Sequence, residues 1–230
     1  MRSWSTPIAI SAALLAAPAA GAPPQRVEID YQLLRNGTAV AVIVGLLEHD
    51  GRRYQIVERW QGKGLMALRG EARRTSRGAI GPQGLRPHEF ADRRSGRRTA
   101  RATLDWDSHQ LTLQYKGDPE TRPLPANAHD RLSFLYGFAF APPGAEPITL
   151  NVADGKGVST YVYRAAGRER LSLPAGEFDT LKLVRQKDDP RDRGTEIWLA
   201  ERRSWLPVRV LVTENDGTRL DQVATRVAAP

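Results

Sequence analysis

Val27-Glu28-Ile29-Asp30-Tyr31-Gln32-Leu33 alternates apolar and polar side chains without a break, and that alternation decides the fold class. Successive side chains of a strand point to opposite faces, so Val27, Ile29, Tyr31 and Leu33 share one face and Glu28, Asp30 and Gln32 the other. The stretch is a half-buried strand. Asn36-Gly37 follows as a hairpin turn into residues 38–47, and Asp50-Gly51 as a second turn into residues 53–61, where Tyr54, Ile56 and Trp60 share a face. A meander therefore begins near the N-terminus.

The same pattern continues outward. Strands are predicted at 64–73, 98–106 and 110–115, with a glycine-rich loop at 76–87 between the first two. Further strands fall at 148–153, 159–164, 180–186, 195–200, 208–213 and 219–227, with turns at Asp154-Gly155-Lys156-Gly157 and Asp216-Gly217. One stretch breaks the period: residues 130–140 place Leu132, Leu135, Tyr136 and Ala139 at helical spacing, with Phe134 and Phe138 beside them. Asp130 can cap this helix and Pro142-Pro143 ends it. A sheet of roughly ten strands does not stay flat, so it curls, and the apolar helix is its natural filling. The predicted fold is mainly β: a curved antiparallel sheet, a half-barrel or open barrel, wrapped around one helix.

The N-terminal segment reads separately. Arg2 precedes an uncharged run and a small-residue stretch through Ala22, the layout of a cleaved secretory signal peptide. The run is shorter than the roughly 20 residues that span a bilayer, and Pro18, Pro23 and Pro24 interrupt it. Residues 1–22 are thus expected to be removed, leaving 23–230 as a single β-rich domain in the periplasm. No later segment is predicted to cross a membrane. The chain has no cysteine, which excludes disulfides, thiolate nucleophiles, thiolate metal sites and lipid attachment through an N-terminal cysteine.

The formal net charge is +8, carried mainly by arginine. From Arg69 to Arg101 ten arginines face only Glu71, Glu89 and Asp92. Arg73, Arg74, Arg77, Arg97 and Arg98 are the candidates for an anionic surface contact, with an envelope polymer or lipid headgroups as partner. Nucleic acid is not expected, since aromatics are few there and the protein is read as exported.

Catalytic signatures are missing. His49, His88, His109 and His129 are scattered without metal-ligand spacing, so no metal or cofactor is expected. Asp105 and Asp107 share a strand face as a glycosidase or cation site would require, but aspartates flanking a strand end are ordinary turn residues. Asp188-Asp189-Pro190-Arg191-Asp192 lacks the glycine and spacing of a calcium loop. Neither a nucleophile elbow nor a phosphate loop occurs. The expectation is a protein that is not an enzyme.

Several ordered motifs carry a resemblance: Ser76-Arg77-Gly78; Gly84-Leu85-Arg86-Pro87 with Phe90; Asp105-Trp106; Asp130 with Leu132-Ser133 and Tyr136; Leu173-Pro174-Ala175-Gly176 with Phe178-Asp179-Thr180; and Glu196-Ile197-Trp198-Leu199-Ala200 leading to Trp205-Leu206-Pro207-Val208-Arg209. Together, from about Tyr31 to Thr225, they resemble the exported proteobacterial family known as domain of unknown function three-one-zero-eight. The resemblance implies an envelope protein whose curved sheet is similar to the half-barrels of lipoprotein carriers. It implies no activity and transfers no catalytic residue.

The expected function is binding or carriage of a lipid or other apolar or amphipathic ligand between sheet and helix, against Tyr54, Trp60, Phe134, Tyr136 and Phe138. The alternative is an interaction protein that docks on an anionic polymer or a protein partner through its arginine-rich face.

Overall fold

The computed structural model describes residues 23–187 and 189–229. The expected signal peptide lies outside them. In chain order the strands are β1 (Arg26–Arg35), β2 (Thr38–His49), β3 (Arg53–Gly62), β4 (Glu71–Gly81), β5 (Gly84–Arg94), β6 (Ala100–Asp105), β7 (Gln110–Gln114), β8 (Glu120–Pro123) and β9 (Ala128–Asp130). After helix α1 (Ser133–Gly137) come β10 (Ile148–Ala153), β11 (Val158–Leu173), β12 (Gly176–Arg185), β13 (Gly194–Ala200), β14 (Leu206–Thr213) and β15 (Arg219–Ala228).

All belong to one large, open, curved sheet of 15 strands, ordered β8-β7-β6-β5-β4-β3-β2-β1-β15-β14-β13-β12-β11-β10-β9. The chain starts in the middle, winds out to β8, crosses to the far edge at β9, and winds back until β15 pairs antiparallel with β1. Neighbours are antiparallel except β9 and β10, which are parallel.

The alternation that opens the chain works as its period requires: Val27, Ile29 and Tyr31 are each 0% exposed on the concave side. The sheet curls far enough for β9 to pack against β5, while α1 touches β5, β9 and β14. At the β10–β11 turn, Gly155 lies so close to β6 that a Cβ would sit 2.5 Å from the Arg101 amide nitrogen, so only glycine fits. Beside it, Arg131 pairs with Asp154 at 2.7 Å.

Four expectations need correction. The strand expected at 64–73 is a 3-10 helix over Gly64–Arg69 followed by the first residues of β4. The helix is much shorter than the eleven residues of the apolar stretch at 130–140, spanning only Ser133–Gly137. The Asp130 carboxylate does accept the Leu132 and Ser133 amides at its start, at 2.8 and 2.9 Å. After Gly137 the Ala139 and Phe140 amides donate three residues back rather than four, so Phe138 and Ala139 sit in turns. The sheet therefore wraps around a filled core to which α1 is a small contributor. The glycine-rich stretch at 76–87 is not a loop, because it forms the end of β4, a tight turn and the start of β5. Finally, β11 runs ten residues beyond Tyr163 to Leu173, with residues 164–170 exposed on both faces and Leu171 and Leu173 packed against the core.

Candidate functional site

An apolar recess opens at the end of the sheet where β4 turns into β5. It measures about 670 Å³ and lies between that turn, the start of β10, and the segment running from α1 through Pro142-Pro143. Leu85, Trp106, Phe134, Phe138, Ile148 and Leu150 supply apolar wall. Arg86 stands at its lip with its guanidinium 4.8 Å from the Trp106 ring, and the Trp106 indole donates to the Pro87 carbonyl at 2.7 Å. The recess can thus accept an apolar chain and meet a negative head at one side.

His129 also borders this cleft. Its neighbour Asp130 is 0% exposed and accepts three hydrogen bonds, from Ser76 Oγ at 2.6 Å and from the two amides at the start of α1. Tyr54 joins the group through Ser76 Oγ at 3.0 Å. Burial raises the Asp130 carboxyl to about 6 and lowers the His129 imidazole to about 4.

These two shifts have opposite consequences for stability. The folded state resists protonating His129, so its contribution is complete above pH 6.5 and is lost as pH falls towards 4. The Asp130 contribution is complete below pH 3.8 and is lost as pH rises through about 6. Replacing His129 with Gln removes the first slope alone. Relative to the wild type, urea midpoints of His129→Gln should gain about 2 kcal/mol of stability between pH 7 and pH 4.5. Parallel curves for the two proteins would show that His129 is already protonated or exposed.

The five expected ligand residues do not converge. Phe134 and Phe138 border the cleft. Tyr54 and Tyr136 are 4% and 0% exposed within the packed core. Trp60 lies near the far end of β3, where its indole donates to the buried Glu58 at 3.1 Å. Sequence reading missed Leu85, Arg86, Trp106 and Leu150, which come from the hairpin mistaken for a loop, from the turn after β6 and from β10; the Gly84-Leu85-Arg86-Pro87 motif was the available signal.

The arginines also divide. Arg74 is not a surface group: it points inward, its guanidinium lies 4.7 Å from the Trp60 ring, and it pairs with Glu58 at 3.7 Å and Asp92 at 3.3 Å. Arg94 engages Asp92 as well, at 2.8 Å. Strand alternation puts Arg73 and Arg77 on the opposite, outer face, and Arg77 donates to Gln55 at 2.8 Å. Arg97 and Arg98 sit on the β5–β6 loop beside Tyr115 and Lys116. Asp105 accepts the Asp107 and Ser108 amides at 3.0 and 3.1 Å, which makes it a turn residue. Among the described residues no group of three or more histidine or acidic side chains could hold a metal ion.

A strongly curved, barrel-like sheet with an apolar cleft at one end defines the class of protein. The chain belongs to the family described as "Protein of unknown function (DUF3108)", whose model matches residues 26–223. Among solved structures, it is similar to a beta-barrel-like protein of domain of unknown function DUF1849 from Brucella abortus, with TM-score 0.60 and 9% identity over 90% of this chain and 99% of that one. This likeness is one of fold. A protein described as exported and of YmcC-like fold, from Bacteroides fragilis, aligns at TM-score 0.39 and 12% identity over 88% of this chain and 95% of that one. No curated protein matches the chain. Among the described residues no helix is long and apolar enough to cross a membrane.

Proposed function

We propose that the protein is a non-catalytic carrier of an amphipathic envelope ligand, acting in the periplasm after loss of residues 1–22. The observation that carries this reading is the cleft of about 670 Å³, large enough for an acyl chain, with an apolar wall and one arginine at its lip. Phe134, Phe138 and Leu150 would hold the chain, and Arg86 would meet an anionic head. His129 stays neutral at periplasmic pH, so Arg86 is the cation available to select charge.

The test is native mass spectrometry of protein purified gently from its own envelope, followed by solvent extraction of whatever is bound. An acyl-containing mass is expected on the wild type. It should be absent from Gly144→Trp, where an added side chain projects from the cleft lining into open space, and reduced in Phe134→Asp. A bare polypeptide, or a bound lipid indifferent to both substitutions, would overturn the assignment.

A further inference from the structure

The outer face of β3, β4 and β5 carries an arrangement that no hydrogen bond or packing contact requires. Arg59, Arg73 and Arg93 stand directly opposite one another across the three strands, all exposed. Neighbouring strands are about 4.8 Å apart, so three guanidinium stems are gathered within about 10 Å. Like charges in direct register destabilise a sheet. The acids beside them do not relieve this: Glu58 and Asp92 are turned to the inner face and engaged there by Arg74 and Arg94. Glu71 and Glu89 are the acids on the outer side of these strands, against five arginines once Arg53 and Arg77 are included.

A second observation lies at the same end of the strands. The connection from β3 to β4 is a short 3-10 helix, Gly64–Arg69, that presents Leu65 and Leu68, each 86% exposed. They are the exposed large hydrophobic side chains among the described residues. Lys63 precedes them, and Ser95 ties the arginine-bearing β5–β6 loop to this segment by donating to the Glu71 carbonyl at 3.1 Å.

We infer that this end of the sheet docks on the anionic surface of a phospholipid bilayer. Arg59, Arg73 and Arg93 meet the headgroups while Leu65 and Leu68 enter the boundary with the acyl chains. A soluble polyanion would match the arginines and leave the leucines in water; a bilayer matches both. Docking in this way leaves the ligand cleft, at the opposite end of β4 and β5, facing away from the membrane.

The experiment is co-sedimentation of the protein lacking residues 1–22 with phosphatidylcholine vesicles, with and without roughly one-third phosphatidylglycerol. Binding is expected to the anionic vesicles only, and to weaken several-fold between 0.1 and 0.5 M salt. Leu65→Ser with Leu68→Ser should reduce it about tenfold or more, and Arg73→Glu with Arg93→Glu by a similar factor, with unchanged circular dichroism because all four side chains are exposed. Equal binding to neutral vesicles, or a leucine pair that makes no difference, would overturn the inference. So would tighter, leucine-independent binding to soluble polyphosphate, which would reassign the face to a free polyanion. None of these outcomes depends on what the cleft holds.

Discussion

Gly45→Ala should destabilise the protein by about 3 kcal/mol or more, a large effect for one methyl group. Gly45 faces inward on β2, and a Cβ there would lie 2.0 Å from the Tyr136 hydroxyl oxygen. Tyr136 is 0% exposed and cannot swing aside into solvent. Its hydroxyl faces that of Tyr31, whose proton is committed to the Pro207 carbonyl at 2.6 Å, and it has no partner in hydrogen-bond geometry. Removing that oxygen therefore forfeits little: Tyr136→Phe alone should lie within about 1 kcal/mol of the wild type. In the double variant the nearest ring carbon would be 3.3 Å from the new methyl, a contact that small shifts accommodate. Most of the loss should be recovered. A double-mutant cycle by denaturant unfolding checks this, and additive penalties would show that Gly45 is required for another reason.

Arg74→Ala should cost about 3–5 kcal/mol, whereas the neighbouring Arg73→Ala should change stability by less than about 0.5 kcal/mol. The two differ in what they leave behind. Without Arg74, Glu58 at 2% exposure loses its pairing cation and Asp92 at 8% keeps only Arg94 of its two. Burial already raises the Glu58 carboxyl against the pull of Arg74; at Asp92 burial is outweighed by Arg94 and Arg74, which hold it below the ordinary carboxylate range. Deleting Arg74 pushes both upward. The penalty is then set by ionisation, so it should be largest at pH 7 and shrink as pH falls towards 4 and the carboxyls take up protons. Urea midpoints across that range would reveal the trend; a pH-independent loss would mean that Arg74 acts through packing against Trp60 instead.

The contrast between those two arginines also explains what the sequence concealed. β1 is legible because its inward residues are apolar and its outward ones mostly are not, and β2 because it is a nearly continuous apolar run bounded by two turn signals. In β4 the inward positions hold Ala72, Arg74, Ser76 and Gly78, because that face carries the buried ion network and the Ser76–Asp130 contact. Its outward positions hold Arg73 and Arg77. Polar residues on both faces erase the period-two signal, and the strand reads as loop. The outer half of β11 is lost for a related reason: residues 164–170 are exposed on both faces, so their composition is that of a solvated segment, although Leu171 and Leu173 beyond them return to the core. The helix erred in the other direction. Its apolar spacing is real, but the space inside the curl admits little more than one turn before Tyr136 meets Gly45 and the chain leaves through Pro142-Pro143.

Of the expected residues, Phe134 in α1 and Phe138 in the turn after it border the cleft. The rest depended on which strands the curl brings beside α1. That arrangement follows from closure of the sheet and has no local signature, so Trp106 and Leu150 could not be paired with it from spacing alone.

The position of β1 beside β15 has a consequence for assembly. Each half of the sheet is mostly a run of hairpins, with the parallel β9–β10 pair at its far edge, and its partners are close in sequence, so either half can form without waiting for the other. Their union closes the longest loop, because it joins segments some 196 residues apart, fastened by Arg226 to Asp30 at 2.7 Å, and is expected to be the slower step. A nascent chain interrupted before Arg219 would therefore hold two nearly finished halves with β1 and β14 bare along their central edges. Unpaired edges of that length recruit other chains, so the final ten-residue strand is also the molecule's safeguard against self-association.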